Sequence, residues 1–145
     1  MDLKTLIPEL NRRILRLAPK YEVSEQAPQT YAELTDAYRK RGIITVWSGA
    51  SDQTIYGDAN VNFAMRAWHD ALHIELGADF SLAGETRVAL KQAELIGDAE
   101  LAKILMAEVL GQVEYYHRHG QFPIDQHAFV SCYLKNKQLA ISLTF

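Results

Sequence analysis

The chain has 145 residues, 48% apolar and 23% charged, with a formal net charge of −3. That is the size and balance of one globular domain with a sizeable core, and a slightly acidic chain offers no basic field for nucleic acid. Its single cysteine, Cys132, excludes an intrachain disulfide, no apolar run reaches the length of a membrane span, and the N-terminus has no signal-peptide core, so the expectation is a cytoplasmic protein.

Leu3, Leu6, Ile7, Leu10, Ile14 and Leu17 recur at helical spacing. Pro8 suits the first turn of a helix and not its interior, so the first helix is predicted from about Pro8 to just before Pro19. Residues 19–29 (PKYEVSEQAPQ) read as a loop. Thr30-x-x-Glu33 is a capping box, opening a second helix that stops at Gly42. Ile43 to Trp47 is β-branched and apolar, and Thr54-Ile55-Tyr56 follows a turn-rich SGASDQ segment. Residues 43–56 therefore suit either a small β-hairpin or an ordered loop over a helical core.

Asp58 caps a third helix from Ala59 to Leu76, with a core stripe of Val61, Met65, Trp68, Leu72 and Leu76. His69 lies beside that stripe and His73 one step further out. Gly77 ends the helix, and Ser81 caps a fourth that stops at Gly97. Glu85 shares the inward line of Val88, Ala89, Gln92 and Ile96, and Gly84 beside it leaves room for another backbone or a ligand. Asp98 opens the longest helix, which ends at His119-Gly120. Its apolar face is Ala102, Leu105, Met106, Val109, Val113 and Tyr116, with Gln112 on that face and Glu108 beside it. A sixth helix starts near Ile124 and carries Ala128, Phe129, Cys132 and Tyr133. Leu139 to Phe145 is apolar, either a docked tail or a surface that pairs with a second subunit. The pattern predicts a mainly α, single-domain bundle of about six helices over residues 1–145, with either one small β-hairpin or an ordered loop near 43–56.

His69 and His73 stand one helical turn apart on one side, the spacing by which a helix offers two imidazoles to one metal ion. Glu85, beyond the break at Gly77, can turn back with an oxygen ligand, while Asp70 projects about 100° away from His69. Asp70 is therefore an oblique ligand or a group that orients one. Imidazoles with carboxylates suit zinc, iron(II) or manganese better than calcium or magnesium. A hydrogen-bonded polar cluster without metal is the competing explanation of the same residues. A zinc protease would need Glu in place of Asp70. A His-Asp phosphohydrolase would need a metal-binding His upstream, and no His precedes His69. Glu114-x-x-His117 is half of a di-iron bundle motif with no second copy, and better explained as a helix C-terminus.

The arrangement His69-Asp70-x-x-His73, eleven residues, Glu85 resembles the metal motif of the coenzyme Q (ubiquinone) biosynthesis metal protein family, mostly helical proteins. The resemblance covers about Trp68 to Glu85, with the Leu76-Gly77 break and the Gly84-Glu85 pair, and does not extend over Gly97–Phe145. It implies a divalent metal held by His69, Asp70, His73 and Glu85, and oxidative decarboxylation and hydroxylation at C1 of a prenylated aromatic ring. The chain as a whole resembles small bacterial or bacteriophage proteins.

Two functions follow. In one the chain is a metal-dependent enzyme for a small-molecule substrate, with Asp70, Glu108 and Gln112 as catalytic or substrate-binding groups. In the other it is an accessory protein whose polar cluster is structural and whose surface binds a protein partner.

Overall fold

The computed structural model of the protein describes residues 2–51, 54–123 and 125–135. The apolar segment Leu139–Phe145, the predicted helix start at Ile124 and the Asp52-Gln53 end of the expected turn lie outside the described residues. Among the described residues the architecture is helical, with one two-stranded sheet.

Helix α1 (Leu3–Leu17) begins five residues before Pro8, because the Asp2 carboxylate accepts the Lys4 N–H as an N-cap. Pro8 is tolerated inside it because it lies on an exposed face, where water can bond the Lys4 carbonyl that lacks its amide partner. The opposite face buries Leu10 and Ile14 completely.

The β element differs in its partner from the expected hairpin. Strand β1 (Tyr21–Ser24) lies within the segment read as loop, and pairs in parallel with β2 (Ile44–Trp47) in the register Tyr21↔Ile44. Parallel strands need a crossover, and α2 (Tyr31–Arg41) supplies it. The Thr30 hydroxyl accepts the Glu33 N–H at 3.1 Å, and Gly42 closes α2 in the left-handed region at φ 72°. Thr54 to Tyr56 form a buried turn instead of a strand.

Helix α3 (Ala59–Leu76), capped by Asp58, runs between two apolar clusters. On one side Val61, Met65, Trp68 and Leu72 join the main core with α1, α4 (Leu82–Ile96) and the later helices. On the other, Ala67 packs with Leu34, Ile44 and Val46 in a smaller core beneath the sheet, flanked by Phe63, Ile74 and Phe80. The second cluster corrects the placement of His73: it is fully buried, whereas the His69 side chain keeps 18% of its exposure.

The longest predicted helix is not α-helical throughout. Helix α5 (Ala99–Met106) passes through a π turn (Ala107–Gly111) into α6 (Gln112–His119). All five π residues are buried. The Gln112 N–H is directed to the Val109 carbonyl, while the Gln112 side-chain amide donates to the Glu108 carbonyl at 3.0 Å. Helix α7 (Gln126–Lys135) returns against this segment through Val130, which is fully buried. Among the described residues, no helix is long and apolar enough to cross a membrane.

Gly84 controls how closely α4 approaches the end of α3. A Cβ there would lie 2.0 Å from the Asp79 carbonyl oxygen, a backbone atom that cannot swing aside. Gly84→Ala should therefore push α4 outward and cost about 1–3 kcal/mol. Thermal denaturation checks this, and an unchanged Tm would mean the close approach is not a constraint.

Candidate metal centre

His73 is positioned by the turn that ends its own helix. Gly77 adopts φ 61°, which a residue with a Cβ resists, and allows the Ala78 N–H to reach back to the His73 carbonyl at 3.0 Å. The Ala78 carbonyl in turn accepts from His73 Nδ1 at 2.8 Å. A carbonyl oxygen can only accept, so Nδ1 carries the proton, and the neutral ring presents a lone pair at Nε2. Phe80 packs edge-on against the ring, with centroids 4.8 Å apart.

His69 is oriented in the same way by a different group. Its Nδ1 lies 2.9 Å from Gln92 Oε1, and the Gln92 amide is oriented by donating to Met65 Sδ at 3.4 Å. Gln92 is fully buried. Its Oε1 accepts the Nδ1 proton and leaves the His69 Nε2 lone pair facing inward.

Glu85 closes the set from the first turn of α4, where Ser81 caps the helix by accepting the Gly84 N–H at 3.1 Å. Glu85 Oε2 lies 2.7 Å from His69 Nε2 and 3.1 Å from His73 Nε2, and the two Nε2 atoms are 3.1 Å apart. Three lone-pair atoms converging like this repel one another unless positive charge sits among them. A proton or a metal ion is the available remedy. Zinc–ligand bonds of about 2.0–2.1 Å in a tetrahedron put ligand atoms about 3.3 Å apart, so the trio must open by about 0.2–0.6 Å to take an ion. Among the described residues, His69, His73 and Glu85 are the group that could hold one.

The centre opens on one side. His69 and Glu85 line a cleft of about 920 Å³, and fully buried His73 closes the back. Asp70 also lines the cleft but is not among the converging groups. Burial pushes its carboxyl up to about 6, against the pull of the two histidines and Arg66 and with help from the Glu85 charge. Glu108 and Gln112 reach the same cleft from the π turn and α6, so all the sequence-predicted site residues except His73 line it. The sequence pattern places Gln92 only on the inward face of α4. Its position one face-repeat beyond Glu85 was the signal that it could stand behind a ligand. The Ala78 carbonyl had no side-chain signature at all.

Burial works against a charged His69, but the adjacent Glu85 carboxylate, with Gln92 and Asp70, holds its pKa above the usual imidazole value. Burial likewise opposes a charged Glu85, yet the two imidazoles bring its pKa down to about 2. In the metal-free protein, the His69 contribution to stability is complete below its unfolded pKa and is lost as pH rises through the folded value. The Glu85 contribution is present above its unfolded pKa and is lost as pH falls toward 2. The two windows overlap in mild acid, where the ion pair is charged on both sides.

No protein-family model, curated protein or solved structure matches this chain.

Followed by NMR without metal, His69 should titrate above the free imidazole range. Glu85→Gln should bring that pKa down markedly, because burial then loses its main opponent. An equal pKa in both proteins would show that the carboxylate does not govern the ring.

Proposed function

We propose that the protein binds one divalent transition metal through His69, His73 and Glu85, and uses it as a metal-dependent enzyme on a small molecule that enters the cleft. The observation that carries the reading is the commitment of both Nδ1 atoms to carbonyl acceptors while both Nε2 atoms face one carboxylate oxygen. Metal-binding histidines are usually held by such a hydrogen bond at the other ring nitrogen, which fixes the tautomer and raises ligand basicity. Three protein ligands leave a coordination position for water or substrate, and the open side faces the cleft. Asp70 is then a charge at the edge of the site rather than a ligand. Two imidazoles and a carboxylate suit zinc, iron(II) or manganese. The motif resemblance makes an oxygenated aromatic ring the first substrate class to assay.

The second reading is an accessory protein in which the cluster is structural. The 2.7 Å contact between His69 and Glu85 favours it, since an imidazolium–carboxylate pair satisfies these atoms without an ion. Metal content separates the two. Elemental analysis of protein purified without chelator or a metal-affinity tag should find about one ion per chain, and His73→Ala should lose it. Gln92→Leu should keep the fold but weaken metal affinity about 10–100-fold, because the ring loses its orienting acceptor. Affinity should also fall as pH drops, since protons compete for the same Nε2 lone pairs. Negligible metal in wild type, before and after reconstitution, would leave the structural cluster as the better account.

A further inference from the structure

The cleft holds a second carboxyl, Glu108, which the Gln112 side chain hydrogen-bonds but which keeps one oxygen unpaired. Glu108 is 8% exposed, and its Oε2 is buried without a hydrogen-bond partner. Leaving such an atom unpaired is costly, and more so when the group is charged. The cation whose charge reaches it, Arg66, is committed elsewhere: its guanidinium donates to the carbonyls of Trp47 at 2.5 Å, Gly49 at 2.7 Å and Ala50 at 3.1 Å. Glu108 also stands on the π turn, a distortion that occurs frequently at functional sites, and the Gln112 side-chain amide donates to the Glu108 carbonyl beside it.

We propose that Glu108 is the second anchor of the cleft: it binds a hydroxyl or amino group on a ligand whose other end coordinates the metal at His69, His73 and Glu85. The proposal rests on the metal reading above. It assigns the ligand a chemical class, a bifunctional molecule with a metal-seeking oxygen at one end and a hydrogen-bond donor at the other. The Glu108 carboxyl itself disfavours an anionic group at its end, and Asp70 lines the same cleft beside Glu85. Burial pushes the Glu108 carboxyl up to about 7, against Gln112 and Arg66, so the group meets its ligand close to the pH at which it exchanges a proton.

The test uses the zinc-loaded full chain and a series of straight-chain hydroxamic acids, each length made with a terminal methyl and with a terminal hydroxyl. The hydroxamate end binds the metal, and the other end probes for Glu108. By calorimetry, the hydroxyl-terminated compound should bind roughly tenfold tighter than its methyl partner at one or two chain lengths. Glu108→Met should abolish that preference and leave the methyl series unchanged, while Glu108→Gln, whose amide oxygen still accepts, should retain part of it. Tm adds a readout that a structural role would move in the opposite direction: Glu108→Met should be as stable as wild type or more so, since it removes an unpaired buried carboxyl. A hydroxamate series that binds with no preference at any length overturns the proposal and leaves the metal reading standing. No binding of any hydroxamate overturns both. A marked fall in Tm for both variants would reveal a structural partner for Glu108 and overturn the proposal alone.

Discussion

The centre depends on a reciprocal pair of hydrogen bonds between His73 and Ala78. The backbone of His73 accepts from Ala78 to terminate α3, and the ring of His73 donates to Ala78 to set its own tautomer. One chain reversal thereby performs two tasks that are independent in most proteins, ending a helix and aiming a ligand. Everything downstream follows from the same turn. Asp79 accepts the Ser81 N–H, Ser81 caps α4, and Gly84 sits against the Asp79 backbone, so Glu85 reaches the two imidazoles. The ligand atoms are close together because the chain between them is short and each step of it is hydrogen-bonded.

The two clusters flanking α3 explain why the centre has one open side. The main core holds the stripe from Val61 to Leu72, and the small core under the sheet holds Ala67, Ala71 and Ile74. A helix buried on two faces carries inward even a residue placed on its flank, and His73 follows Phe80 into that second interior. His69 lies between the two clusters, where the gap between α3, α4 and the π turn becomes the cleft. Arg66, one turn earlier, secures the loop after β2 to the same rim and stacks on Trp47 at 5.7 Å.

What was legible in the sequence was local. Caps at Thr30, Asp58, Ser81 and Asp98 mark four helix starts, and Gly42, Gly77, Gly97 and Gly120 mark ends, because those signals act within a turn of themselves. The spacing of His69 and His73 and the inward line of Glu85 were legible for the same reason. Pairings between distant segments were not. Strand β1 is four residues of mixed polarity whose partner lies beyond a whole helix, and nothing within YEVS names it. Nor did the run from Ala99 to His119 announce its π turn. An even α-helical wheel puts Gln112 on the apolar face but gives no hint that its amide nitrogen donates to the Glu108 carbonyl.

The cleft brings the His69–His73–Glu85 cluster and the π turn together. Glu85, Asp70 and Glu108 are three carboxyl groups sharing one cleft with a single nearby guanidinium, Arg66, whose hydrogen bonds are spent on carbonyls. Without an ion, the balance is met by protons: burial pushes Asp70 up to about 6 and Glu108 up to about 7, while Glu85 stays ionised because the imidazoles face it. A divalent cation between His69, His73 and Glu85 would add positive charge beside Asp70 and pull that carboxyl back toward the ordinary range. Metal and protons would then compete at Asp70 as well as at the three converging atoms. Glu108 answers instead to burial, Gln112 and Arg66, so its proton is governed by the π turn and the side chains packed around it.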